Sequence, residues 1–212
     1  MQGAAAHGVY AYVKHFAMND QETNRCGMLC TWSTEQAIRE IYLKPFEIAI
    51  KQGGAQAVMS SFNYIGNRWA GGTKELCQTV LRDEWGFQGF VLTDYFGVYG
   101  YMSADQGVRN GTDCMLVNYP TETSLVGSLT DSAISNGGLQ AMRTATHNIL
   151  YTVVNSRAYT EENLNPGMPA WQIAAIAIDV VLVLLIVGLE VGVVKKGYTK
   201  RKEEEPKENA EA

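Results

Sequence analysis

The chain has 212 residues, 46% apolar and 18% charged, which is enough for one domain with a real core. A net charge of −5 gives no basic surplus for a nucleic-acid partner, so that class is set aside. The four cysteines (Cys26, Cys30, Cys77, Cys114) and three histidines (His7, His15, His147) do not complete a zinc spacing, so no metal is expected; the thiols read as free and partly buried, with a Cys26–Cys30 disulfide open only in an oxidising compartment.

Val9 to Phe16 starts as an apolar strand and ends at Lys14 and His15. Ser33 to Lys51 carries Ile38, Ile41, Tyr42, Phe46 and Ile50 at helical spacing, with Ser33 and Gln36 in capping-box positions and Pro45 dividing the helix. Ala57 to Ser61 is a short strand, and Thr73 to Trp85 a second helix with Leu76, Val80 and Leu81 inward. After Gly86-Phe87-Gln88-Gly89, the strand Phe90 to Thr93 stops at Asp94. A carboxylate at the carboxyl end of a strand is a candidate nucleophile or general acid/base; the plainer readings are a solvated loop residue or a helix cap. Cys114 to Val117 is a fourth strand, and helices are expected over Thr121–Asn136 and Leu139–Ser156, separated by Gly137-Gly138.

Trp171 to Val194 is dominated by Ile, Val, Leu and Ala. At 1.5 Å per residue such a helix crosses a hydrocarbon core of roughly 30 Å. Lys195, Lys196, Lys200, Arg201 and Lys202 follow it, so the expected topology is single-pass in the cell membrane, with the N-terminal domain outside and the C-terminus cytoplasmic. Asp179 and Glu190 interrupt the run. The expected organisation is therefore a domain over 1–160, a linker over 161–169, a transmembrane helix over 170–194 and a charged, disordered tail over 195–212. Nothing before Lys14 has the form of an export signal, which implies a piece of a longer chain or an anchor that directs its own export.

Strand, helix, strand, helix is the grammar of a parallel α/β domain, and four such units are half of an eight-stranded barrel. A half-barrel leaves two open strand edges, so this segment is expected to need more chain, or a partner, to close.

The run Lys14-His15-Phe16-Ala17-Met18-Asn19-Asp20-Gln21-Glu22-Thr23-Asn24-Arg25 resembles the lysine-histidine motif of glycoside hydrolase family 3. The resemblance continues through Arg39–Glu47, Val58-Met59-Ser60-Ser61-Phe62-Asn63, Leu81–Asp94 and Gly111-Thr112-Asp113, in family order over about residues 8 to 155. It implies a partial (β/α)8 barrel, strands five to eight, followed by the single membrane helix. Asp94 then matches the nucleophile, Lys14 and His15 match residues that bind sugar hydroxyls, and Met59 matches a residue lining the pocket. Glu22 and Arg25 match a loop motif expected to be structural, through a charge pair. Phe62 stands where many members have Tyr, and Tyr95 where many have Trp. Ala17-Met18-Asn19 replaces the Pro-Gly-His of the N-acetylglucosaminidase branch, which points to the β-glucosidase-like branch.

What the resemblance implies is a retaining glycoside hydrolase acting on an oligosaccharide or β-glucoside, with no metal or cofactor, because two carboxyl groups suffice. The acid/base is expected outside this chain, as are the first half-barrel and an α/β sandwich domain, so the chain alone is expected to be inactive. The alternative is a membrane-anchored, noncatalytic carbohydrate-binding or assembly subunit.

Overall fold

A computed structural model describes residues 1–96, 100–117 and 135–208, with side chains as far as Arg201. It divides into two units, Met1–Asn163 and Leu164–Ala212.

In the first unit, strands β1 (Tyr12–Phe16), β3 (Ala57–Ser60), β6 (Phe90–Tyr95) and β7 (Cys114–Leu116) form one parallel sheet in chain order. Tyr12 pairs with Ala57, Ala57 with Phe90, and Leu92 with Cys114. The four expected strands are all present, with β1 and β7 as the sheet's edges. A second, smaller sheet of β2 (Cys30–Thr31), β4 (Tyr64–Ile65) and β5 (Arg68–Trp69) has no counterpart in the sequence reading. Strands of two residues carry no periodicity to read.

The expected helix over Ser33–Lys51 is divided as Pro45 requires: one segment covers Glu35–Tyr42, its second part π-wound, and another covers Lys44–Lys51, with Pro45 in its first turn. The cap is Thr34 and not Ser33: the Thr34 hydroxyl accepts from Ala37 N at 3.2 Å, while Gln36 turns to Glu40. Glu75–Glu84 is a π-wound helix that buries Leu76, Cys77, Val80 and Leu81. Phe16, Val58, Leu81 and Val91 are fully buried in the main apolar cluster, which joins this helix to the sheet. A second cluster gathers Phe62, Trp69, Phe96 and Met102.

Gly89 enters β6 where a Cβ would collide with the Gln56 carbonyl oxygen, so no larger residue fits this approach to β3. The long helix near the end of the unit starts at Asn136 and runs to Val154, so Gly137 and Gly138 lie inside it. Ser135 caps it through Gly138 N, and the Arg109 guanidinium occupies the space a side chain at 138 would need. The expected helix from Thr121 lies, up to residue 134, outside the described residues. A short helix over Ala104–Arg109, capped by Ser103, was not expected.

The second unit holds one helix, Ala170–Glu208, preceded in the chain by a single turn over Glu161–Leu164 within the expected linker. It contains a stretch long and apolar enough to cross a membrane by length and composition. The helix continues past Tyr198 as far as Glu208, where a disordered tail was expected; Lys, Arg and Glu are strong helix formers and extend it.

Candidate active site

The strand order brings the carboxyl ends of β1, β3 and β6 side by side, and the candidate residues stand there. Asp94 lies in β6, and Met59 in β3 pairs with Leu92 two residues before it. The Lys14–His15 and Phe16–Ala17 peptides are cis, and the β1–β3 register shifts between Val13 and Phe16. The chain after β1 is then tied to β3. Ser61 N donates to Phe16 O at 2.9 Å, and Ser61 Oγ and Asn63 Nδ2 both donate to Ala17 O. Trp69 Nε1 in turn donates to Ser61 O at 2.9 Å. These buried bonds fix the loop that presents His15.

His15 Nε2 lies 3.1 Å from Asp94 Oδ2, with the two side chains 25% and 14% exposed. The ring nitrogen is close, but its direction makes no hydrogen bond: Asp94 Oδ2 is buried and has no hydrogen-bond partner. Asp94 Oδ1 accepts from Tyr95 N at 2.7 Å, so one carboxylate oxygen is anchored by the backbone and the other is uncommitted. Burial lowers the His15 pKa below its ordinary 6.5; the Asp94 carboxylate works against that shift, while Lys14 and Arg25 add to it. His15 is therefore a neutral imidazole at pH 7, able to donate or accept one hydrogen bond at each nitrogen.

Lys14 is exposed and makes no ion pair among the described residues, so it is not brought into contact with Asp94. Lys14 and His15 line a cleft of about 460 Å³ with Asn19, Asp20, Tyr42 and Phe46. Asn19 keeps both amide atoms buried and unpaired beside them. The sequence reading named Asn19 only as a branch marker, and nothing in its local pattern signals this position.

Arg25 Nε meets Glu22 Oε2 at 2.9 Å, which is the expected charge pair. Arg25 does more than that. Its guanidinium stacks 4.8 Å from the Phe62 ring centre, and its charge reaches His15. Its place beside the candidate pair comes from the loop path between β1 and β2, which spacing does not reveal. Tyr95 packs with Tyr64, Tyr101 and Cys26 against the second apolar cluster, next to Asp94.

Glu47, Glu84 and Asp113 are engaged elsewhere. Glu47 pairs with Lys44 and Lys51, each at 2.9 Å, and Glu84 with Arg39 at 2.6 Å. Asp113 is buried: Oδ2 meets Arg82 at 2.5 Å and accepts from Val91 N at 2.7 Å, and Oδ1 accepts from Asn148 at 2.8 Å. Burial raises the Asp113 pKa, and Arg82 opposes the rise. Cys26, Cys30, Cys77 and Cys114 are free, and no cluster of metal-binding side chains occurs among the described residues. A depression of about 670 Å³ along Asn136–Val154, lined by Leu139, Arg143, His147 and Tyr151, contains none of the candidate residues.

Residues 1–147 match the sequence profile of the glycosyl hydrolase family 3 N terminal domain. The probable beta-glucosidase K of Emericella nidulans is 38% identical over 136 residues, 64% of this chain and 15% of that protein. A beta-glucosidase of Ruminococcus albus is 41% identical over 96 residues, 45% of this chain and 10% of its own length. The chain thus spans a small part, 15% or less, of these two relatives. Among solved structures, beta-glucosidase 3B from Thermotoga neapolitana in complex with alpha-D-glucose superposes with a TM-score of 0.64 at 28% identity, over 84% of this chain and 25% of that one. A beta-glucosidase from Paenibacillus barengoltzii gives a TM-score of 0.63 at 32% identity, over 76% and 19%.

Proposed function

The chain belongs to glycosyl hydrolase family 3, and we propose that it supplies the nucleophile half of a membrane-anchored, retaining β-glucosidase-like site. The observation that carries this reading is the Asp94 carboxylate at the end of β6. One oxygen is held by the backbone, and the other is buried and unpaired with His15 Nε2 at 3.1 Å. A nucleophile needs such an uncommitted lone pair aimed at the anomeric carbon, and an anchor that keeps the carboxylate from turning.

On this reading Asp94 Oδ2 attacks the anomeric carbon of a terminal β-glucosyl residue as the glycosidic oxygen leaves with a proton from the acid/base. Water then attacks the glycosyl-enzyme, with the same acid/base removing its proton, and the sugar leaves with its configuration retained. His15, neutral at pH 7, bonds one sugar hydroxyl and Lys14 another. Met59, paired with Leu92 on β6, and Tyr95, next to Asp94, belong to the sugar pocket on this reading. Arg25, stacked on Phe62 and paired with Glu22, holds the loop against the site. The acid/base comes from outside this chain, as does the rest of the barrel, because β1 and β7 are open edges. The helix Ala170–Glu208 holds the assembly in the cell membrane with the catalytic segment outside and Lys195–Lys202 on the cytoplasmic side.

Incubation with a 2-deoxy-2-fluoro glucoside, followed by peptide mapping, tests the assignment. The adduct is expected on Asp94, and Asp94→Ala is expected to abolish it. A label on another carboxylate would remove Asp94 from the role. Glucose binding with no label on the wild-type chain would favour the noncatalytic carbohydrate-binding reading.

A further inference from the structure

The stretch Trp171–Val194 holds three polar side chains, Gln172, Asp179 and Glu190. All lie in one uninterrupted α-helix. At 3.6 residues per turn they fall within about 20° of one another around the axis, so the span has a single polar stripe. Along the axis, Gln172 and Asp179 are separated by about 10 Å, and Asp179 and Glu190 by about 16 Å. Ile186 and Gly197 continue the stripe, and Ala170, Ala177, Gly188 and Gly192 occupy the opposite face. Every described side chain of this helix except the half-exposed Gln172 is exposed. The basic residues begin at Lys195, about 24 Å along the helix from Asp179, too far to neutralise it.

Polar groups at this depth in a bilayer find partners, because hydrocarbon offers them none. Resting on the reading of this helix as a membrane span, we infer that the stripe is the contact face for a second copy of the same helix in parallel orientation. The reason is self-complementarity at two depths, with Glu190 beside the seam. A carboxamide both donates and accepts, and two facing carboxyl groups can share a proton, so Gln172 and Asp179 each find an acceptable partner in their own twin at the same height. Gln172, Ala175, Asp179, Leu182, Ile186, Leu189 and Val193 also follow alternating steps of three and four, the seam of a left-handed helix pair. A polar residue on such a seam fixes register, which a purely apolar face does not.

The test uses the full chain, labelled separately with donor and acceptor dyes and reconstituted into phosphatidylcholine–phosphatidylglycerol vesicles. Flotation with the vesicles first establishes the span itself. A chain that fails to float refutes that reading and this inference with it. For a chain that floats, energy transfer is followed over a range of protein-to-lipid ratios. Asp179→Leu is expected to weaken association by about tenfold, Asp179→Asn to preserve it, and Gly188→Leu on the opposite face to leave it unchanged. Three results would overturn the inference: a wild-type chain that stays monomeric, association insensitive to Asp179→Leu, or association only with a designed Leu-rich helix bearing one Lys at its midpoint. The last would mean a basic partner helix in place of a second copy.

Discussion

At the scale of single residues, the contrast between Asp94 and Asp113 shows how one side chain type is given two fates. Asp113 spends both oxygens on Arg82, Val91 N and Asn148, whereas Asp94 keeps one oxygen uncommitted. Asp113→Ala removes the partner of a buried guanidinium and frees the start of β6, and is expected to cost about 3–5 kcal/mol in urea unfolding of the first unit. His15 offers a second check. Its folded pKa lies below the unfolded 6.5, so the unfolded chain takes up the proton first. The stability tied to a neutral His15 is fully present above about pH 6.5 and is lost as pH falls through the folded value. An NMR titration of the His15 ring should place its midpoint below 6.5, and a midpoint above 6.5 would show that Asp94 outweighs burial. Asp94 was legible in the sequence because an apolar run stops at a carboxylate. The proximity of Asn19 and Arg25 to His15 was not, because it is set by the loop after β1 and its bonds to Ser61 and Asn63.

At the scale of elements, the sequence announces those whose apolar residues repeat often enough to count. The four parallel strands and the helices over Glu35–Lys51, Glu75–Glu84 and Asn136–Val154 all have such repeats. The helix over Ala104–Arg109 has one turn and a half and buries only Ala104 and Gly107, so its pattern resembles a loop. Gly137-Gly138 reads as a break from propensity alone, yet the Ser135 cap and the Arg109 side chain turn it into a first helical turn. Gly89 is the position where an element depends on a missing side chain. Gly89→Ala forces β6 away from Gln56, and a loss of about 1–3 kcal/mol in the same unfolding assay is expected. An unchanged midpoint would mean that the β3–β6 pair can shift to absorb a methyl group.

At the scale of the molecule, the first unit is a four-stranded parallel sheet with two edges, and the candidate nucleophile stands on an inner strand of it. A site that needs a second carboxyl roughly 5 Å from the first has only one assigned here. The purified chain is therefore expected to hydrolyse an aryl β-glucoside well below about 1 per second, the low end of ordinary enzyme rates. Turnover at or above that rate would show that an acid/base lies within this chain. The four strand–helix units from which this expectation starts were legible in the sequence, because each strand is an apolar run of its own. The length of the final helix was not, because a Lys- and Glu-rich tail is compatible with either helix or coil.

The order of the sheet also sets how it can be made. Within the four-stranded sheet each strand pairs in parallel with that sheet's preceding strand, across separations of 45, 33 and 22 residues for Tyr12/Ala57, Ala57/Phe90 and Leu92/Cys114. During synthesis a strand leaving the ribosome thus always finds its partner already outside and never has to wait for one still to come. Assembly can follow translation from β1 to β7, with the longest loop closed first.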